Sequence, residues 1–382
     1  MTSLRPWQLP GWELPHHALP LHGDVWRAPA VGNCDELAAI GLTLLDQRPD
    51  GSGAYRIHWQ RLAEHFAAWS ASDYAELGVG SSAWVAARVH LGAHAWLQFP
   101  PQPEWMVILN LTPDSFSDGG SWLDQQDQLQ SAPLLQQAQQ ALNNGAKWLD
   151  LGAESTRPGA DEIPTEQQLQ RLLPAVELLL PLAQKAKAGI SIDTRNASVA
   201  KACLEAGASM INDVSGFADP QMPQVCAEFN CPTVLMHMRG TPATMQEHCN
   251  YEDLIGQIAD EMIASAAKGI SAGLAPDRVT LDPGIGFSKT AEQNYDLIAH
   301  SDAFRALGFP LLLGPSRKSF LGSMFPDLAA SDRDGASAGA AAICAQNGAQ
   351  ILRLHSGQHW HGILVAAKLG MTKMKHAHPY NA

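Results

Sequence analysis

The chain has 382 residues, 46% of them apolar and 16% charged, which suits a globular protein with a full core, either one large domain with an appendage or two domains. Its formal charge of -13 argues against a nucleic-acid or anionic-membrane surface as the main partner, while leaving room for a local basic pocket that takes an anionic substrate. The six cysteines, at 34, 203, 226, 231, 249 and 344, form no C-x-x-C pair, so neither a zinc ribbon nor a thioredoxin-like motif is supported, and scattered thiols in so long a chain point to a reducing compartment.

The start, MTSLRPWQLPGWELP, has no apolar stretch or cleavage site of a signal peptide, and no run of about 18 apolar residues follows, so a soluble cytoplasmic protein is expected. Residues 1–100 are rich in Trp and His and open with Pro-rich turns. Segments 34–46 and 58–69 read as short helices, and no catalytic motif is found there. FPPQPE, residues 99–104, reads as a linker.

Beyond it the chain becomes regular. Short apolar runs at 106–109, 148–151, 190–192, 210–211, 233–236, 279–281, 310–313 and 351–354 read as eight strands. Amphipathic segments between them, such as 133–143, 165–183, 197–206, 251–267, 291–300 and 336–346, read as helices. Several of these end in Gly, as in NNGAKWLD, EAGASMIND and QNGAQILRL, which suits the left-handed stop before a following strand. Eight strand–helix units in about 270 residues predict an α/β fold, a closed (β/α)8 TIM barrel over 105–372, with an N-terminal extension of unknown fold (1–100) and a tail at 373–382. The rival, an open doubly wound sheet, would usually carry a G-x-G-x-x-G turn near its start, and none is present.

Seven of the eight runs lead into a polar or Gly-rich cluster at the C-terminal end: Asn110, GAESTRPG (152–159), Asp193, Asn212-Asp213, His237, DPGIGF (282–287) and GPSRKS (314–319). In the eighth, Arg353 sits inside the run and His355 follows it. A barrel gathers all these ends around one mouth, where barrel active sites are built. For each residue alone, a loop or helix cap is as good a reading as a site; the ring taken together is hard to explain as structure. Asp193, Asp282 and Asn212 suit a flat heterocycle with donor and acceptor edges, and Lys318 suits its carbonyl or ring nitrogen. Arg157, Arg353 and His355 are donors for an anion, and Asn110 and Asp118 are hard oxygen ligands suited to Mg2+ shared with phosphate. GPSRKS lacks P-loop spacing and reads as an anion-holding helix start with Ser319 as a cap. His355, His359 and His361 lie close together, but Gly357 interrupts and no acidic or Cys partner is near, which disfavours zinc. His237 reads equally as a buried, hydrogen-bonded His or a ligand contact, and Asn196 as a helix cap.

The ordered set ILNLTPDSFSDGG, ESTRPGA, SIDT, IND, LMHMRGTPATMQ, DPGIGFSK, GPSRKSFLG and RLH resembles the dihydropteroate synthases over about residues 105–372. The resemblance implies condensation of a dihydropterin hydroxymethyl diphosphate with 4-aminobenzoate, releasing diphosphate, with Mg2+ as cofactor and a homodimer through the last barrel helices. It implies that Asp193, Asn212, Asp282 and Lys318 hold the pterin, Arg353 flanks it, and Met236, Phe287 and Gly314 line the pocket. It further implies Asn110 and the mobile-loop Asp118 at the metal, Thr156, Arg157 and His355 at the diphosphate, and Phe116, Pro158 and Ser319 around 4-aminobenzoate. Gly119 and Gly120 would be hinges of that loop. Two departures stand out: Ser356 occupies a position where the family usually has Asp, and DTRN replaces the frequent Asp-Thr-x-Lys. A pterin-binding methyltransferase barrel should lack STRPG, the SRKS lysine and the Arg-x-His pair, and all three are present. A non-catalytic binding protein descended from a synthase is the other rival, and the full anion set argues against it.

Overall fold

The computed structural model describes residues 19–22, 25–28, 42–47, 53–57, 102–112, 122–124, 129–156, 159–160, 162–307, 309–323 and 329–377. In the N-terminal region the described residues are β1 (Leu19–His22), β2 (Val25–Ala28), β3 (Leu42–Gln47) and β4 (Gly53–Ile57), an antiparallel sheet in the order β1-β2-β4-β3. This corrects the helix expected at 34–46: residues 42–46 are strand, paired with β4 from Leu42↔Ile57 to Gln47↔Gly53 with a register shift after Leu44. Pairing with the next strand outweighs local helix preference here. The helix expected at 58–69 lies outside the described residues.

The rest is a barrel. Its strands are β5 (Glu104–Asn110), β6 (Ala146–Gly152), β7 (Gly189–Asp193), β8 (Met210–Asp213), β9 (Thr233–Met236), β10 (Val279–Asp282), β11 (Leu312–Leu313) and β12 (Ile351–Leu354). All pairings are parallel, in the order β10-β9-β8-β7-β6-β5-β12-β11. A single bridge, Leu281↔Leu311, joins β10 to the chain entering β11, with Leu281 N donating to Pro310 O at 2.9 Å. Eight helices alternate with the strands: α1 (Ser131–Asn143), α2 (Thr165–Ala186), α3 (Ala197–Glu205), α4 (Met222–Phe229), α5 (Leu254–Ser271), α6 (Ala291–Ala299), α7 (Asp334–Gln346) and α8 (Trp360–Ala377). All eight expected strands are present.

Local chemistry sets several boundaries. Asn196 caps α3, its Oδ1 accepting from Ser198 N and Val199 N, as the sequence suggested. Thr290 and Gln293 form a reciprocal capping box that starts α6 directly after the DPGIGFSK loop. The α4 helix stops at left-handed Asn230, with Cys231 N reaching back to Cys226 O at 3.2 Å.

Side chains alternate along each strand, so one set faces the helices and the other fills the lumen. Leu109, Leu149, Leu151 and Ile192 belong to the outer core beneath the helices. The bottom of the lumen holds Met106, Met210, Val234, Leu312 and Ile351, with Trp148 packed against them. A Cβ on Gly189 would lie 2.2 Å from the Trp148 ring, so only glycine at that position admits the indole there. Trp148 Nε1 donates to Glu104 Oε2 at 2.8 Å. This apolar floor leaves the opposite, C-terminal ends of the strands for chemistry.

Candidate active site

Arg353 is the hub of the mouth. Its position two residues after Ile351 turns the guanidinium into the lumen, where Nε donates to Asp150 Oδ2 and Nη2 to Asp193 Oδ2, each at 2.6 Å. Asn212, at the end of β8, donates from Nδ2 to the same Asp150 oxygen at 3.3 Å. Asp150, Asp193, Asn212 and Asp282 are all buried. Burial and the neighbouring Asp150 charge push Asp193 up to about 7, although Arg353 and Lys318 oppose the rise. Burial also raises Asp282 to about 6, against the Gly284 N–H that donates to its Oδ1 at 2.8 Å. Burial, reinforced by the Arg353 charge, lowers Lys318 to about 8. Arg353 stays above the usual arginine range, because Asp150 and Asp193 outweigh its loss of solvent.

The apolar side of the pocket is built from Met236 at the end of β9 and Phe287 in the β10–α6 loop, clustered with Val214 and Met245. Lys318 Nζ lies 4.0 Å from the centre of the Phe287 ring. Gly286, at φ +86, allows this approach, since a Cβ there would fall 2.9 Å from Lys318 Cδ. The result is a cavity edge of carboxylates and an amide facing an ammonium and a guanidinium, with an apolar wall alongside. Such a surface matches a flat, polar-edged heterocycle better than a sugar or a metal cage.

The family of pterin binding enzymes matches residues 106–355. The dihydropteroate synthase of Synechocystis sp. is 41% identical over 251 residues, which are 65% of this chain and 84% of that protein. The chain belongs to the dihydropteroate synthase family. Among solved structures, the Yersinia pestis dihydropteroate synthase with a sulfonamide drug is similar at a TM-score of 0.65 and 37% identity, over 71% of this chain and 95% of that one. The Thermus thermophilus dihydropteroate synthase in complex with 4-aminobenzoate is similar at 0.60 and 35%, over 70% and 95%.

The motifs that resemble dihydropteroate synthases fall where a barrel mouth requires. Asn110 ends β5, with its Oδ1 3.4 Å from where a Cβ on Gly152 would stand. Thr156 follows β6 and is half-buried. Gly314 leaves β11 beside the Arg353 backbone. His355 follows β12, with Nδ1 2.9 Å from Ser316 Oγ, which also accepts from the His355 N–H at 3.1 Å. Ser356, in place of the usual Asp, accepts from Gln358 N at 3.2 Å. Phe116, Asp118, Gly119, Gly120, Arg157 and Pro158 lie outside the described residues.

Some expectations change. Ser319 is exposed and opens a short 3-10 turn, Ser319–Gly322, without a side-chain cap bond, so it is not the capping residue expected. The turn is too short to make a helix terminus of it. His355 and His359 both precede α8, so they share no helical face, and no group of three or more His, Cys, Asp or Glu among the described residues could hold a metal. Asp213 serves the turn after β8, accepting from Ser215 N, Ser215 Oγ and Phe217 N. His237 is the buried, bonded histidine, between Glu261 and Lys289. Glu154 of the ESTRPG motif pairs with Arg195, which anchors the β6 loop to the β7 loop. Two residues escaped the sequence reading: Asp150, which shares Arg353 with Asp193, and Lys289, at the end of DPGIGFSK. Asp150 could have been found as the one charge inside the apolar run WLDLG, two places before the lumen-facing Gly152.

Proposed function

We infer that the chain is a dihydropteroate synthase, condensing (7,8-dihydropterin-6-yl)methyl diphosphate with 4-aminobenzoate to 7,8-dihydropteroate and diphosphate in folate biosynthesis. The observation that carries this is the convergence of Asp193, Asn212, Asp282, Lys318 and Arg353 on one pocket at one barrel mouth. In this reading the ionised carboxylates of Asp193 and Asp282 accept N–H bonds from the pterin edge. Asn212 offers an amide, Lys318 donates to the ring carbonyl or nitrogen, and the Arg353 plane flanks the ring between the acids. Met236, Phe287 and Gly314 line the faces. Thr156, Arg157 and His355 take the diphosphate, and Phe116, Pro158 and Ser319 shape the 4-aminobenzoate site.

The carbon–oxygen bond to diphosphate breaks while the aniline nitrogen forms a new bond to the methylene carbon. The electron-rich pterin bears the positive charge that grows on that carbon, and the aniline nitrogen gives up a proton after attack. A neutral aniline needs no strong base for its attack. The main catalytic demand is stabilisation of the leaving diphosphate, where losing one fixed donor typically costs about a hundredfold or more in rate.

The Asn110 amide oxygen at the end of β5 supports a Mg2+ site, since a hard oxygen donor suits an ion held largely by substrate phosphate. Asn110 and Asp118 would hold it, and when bound it neutralises charge on the leaving group. Residues 1–100 are proposed as an accessory packing unit beside the 105–372 barrel. A homodimer through the last helices is supported by Ile343 on α7 and Val365 and Leu369 on α8, which are apolar and exposed. No helix among the described residues is long and apolar enough to cross a membrane. We propose a cytoplasmic enzyme, and the formal charge of -13 supports a reading without a nucleic-acid or anionic-membrane partner.

The test is diphosphate release by the purified chain, with and without Mg2+, 4-aminobenzoate and the pterin diphosphate. Release that requires all three is expected. Pterin binding without release would leave a binding protein.

A further inference from the structure

Behind the pocket wall lies a buried network that the reaction as described does not use. Lys289 is only 3% exposed. Its Nζ donates to the Gly284 carbonyl at 3.1 Å, the Phe287 carbonyl at 2.9 Å and His237 Nδ1 at 3.1 Å. An ammonium has three N–H donors, and all three are placed. His237, also buried, turns Nε2 to Glu261 Oε2 at 2.9 Å, and Arg239 grips the same carboxylate. Burial and the Lys289 charge push His237 down to about 4, so near neutral pH its ring is uncharged, with Nδ1 free to accept and Nε2–H to donate. The backbone closes the assembly: His237 N donates to Asp282 O at 2.8 Å, and Gly284 packs so near the His237 carbonyl that a Cβ would lie 2.0 Å from its oxygen.

The two carbonyls that Lys289 holds belong to the loop that makes the pocket. The Gly284 N–H fixes one oxygen of Asp282, and the Phe287 ring carries Lys318. Burial lowers Lys289 to about 7, with Asp282 and Glu261 opposing the fall, so its charged form is held here at a cost, and no uncharged side chain supplies three directed N–H bonds from one atom. We propose that Lys289 is a positioning residue for the pterin substrate, setting the Asp282 carboxylate and the Phe287 ring through the Gly284 and Phe287 carbonyls, with His237 as its third anchor. The proposal rests on the pterin pocket assigned above.

Steady-state kinetics of the full chain, with both substrates varied, and calorimetric titration with the pterin diphosphate test it. Lys289→Met keeps the stem and removes the donors. Its KM and Kd for the pterin diphosphate rise at least about tenfold, while KM for 4-aminobenzoate and kcat at saturation stay within about threefold, the pattern of lost uniform binding. His237→Leu shifts the pterin KM the same way by about three- to tenfold. His237→Asn, whose Oδ1 stands near the place of Nδ1, restores it to within about twofold of wild type. An unchanged pterin KM in Lys289→Met overturns the proposal, as does an equal loss for both substrates that tracks the folded fraction. Should Lys289→Met fail to fold, equal pterin KM in the two His237 variants overturns it. Absent pterin turnover in the wild-type chain would overturn the functional reading and this inference with it; normal wild-type turnover with an unaltered Lys289→Met would overturn this inference alone.

Discussion

The two ends of the lumen are built on opposite principles. At the floor, Met106, Met210, Val234, Leu312 and Ile351 bury apolar surface against Trp148. At the mouth, two residues further along β6, β8 and β12, stand Asp150, Asn212 and Arg353, joined by Asp193 and Asp282 from the ends of β7 and β10; the three acids and the amide are buried. Arg353 directly follows the register of the floor, since it pairs with Met106 across β12 and β5. The floor stabilises the barrel by removing apolar area from water. The mouth does the reverse: Asp193 and Asp282 are held far from their preferred protonation by burial, a state that a ligand with matching donors relieves. Stability and recognition are thus separated by two residues along β6, β8 and β12.

The largest effect expected from breaking this separation is Arg353→Met. It leaves Asp150 and Asp193 facing each other without their shared cation. We expect kcat/KM to fall on the order of a thousandfold, and the unliganded protein to lose about 3–5 kcal/mol in denaturant unfolding. A loss of activity without loss of stability would show that the acids repack or protonate at little cost.

Met106→Ala, at the floor, should do the opposite. It removes a fully buried side chain and should cost about 2–5 kcal/mol. KM for both substrates should stay within about twofold, measured where the variant is folded; a raised pterin KM would mean that floor and mouth are mechanically linked.

The pH dependence sharpens the contrast. Asp193 and Asp282 have folded pKa values raised to about 7 and about 6 from 3.8. Their protonation therefore favours the unliganded fold fully below about pH 4, and that contribution is lost as pH rises through about 6–7. In the proposed site the pterin is held by the ionised acids, so affinity should weaken as pH falls through the same window. Asp282→Asn should remove the part of the acid limb near pH 6 and leave the Asp193 part near pH 7, lower affinity at pH 8, and raise the unfolding midpoint there. A midpoint that drops at pH 8 would contradict the claim that the carboxylate is held at a cost.

The smallest effect belongs to neither end. Asn196→Ala removes the α3 cap and should cost about 1 kcal/mol in unfolding, with kcat and KM unchanged.

Much of this was legible in the sequence because a barrel makes strands recur as apolar runs with polar ends. The eight strands were found within a few residues, and their ends named Asn110, Asp193, Asn212, Asp282 and Lys318. What stayed hidden depends on non-local geometry. Asp150 sits inside a strand, where looking only past strand ends misses it. Lys289 closes the DPGIGFSK motif, and only the fold shows that its ammonium is held by Gly284, Phe287 and His237. The local pattern suggested helix at 42–46, where β3 runs paired to the next strand, β4. The α4 helix, of eight residues, is too short to show a clear period, and α8 follows a His- and Gly-containing turn that masks its start.

The barrel closes at one weak seam. Between β10 and β11 the described backbone offers the Leu281↔Leu311 bridge and the Leu281–Pro310 hydrogen bond, where the other neighbours share ladders. Directly above that seam, Asp282 ends one side and the Gly314–Lys318 turn leaves the other. A heterocycle held by both Asp282 and Lys318 is therefore a rung added to the ladder from outside the polypeptide. In the proposed site its binding energy would count toward keeping the cylinder shut, so that substrate and fold would complete one another where the described backbone is least continuous.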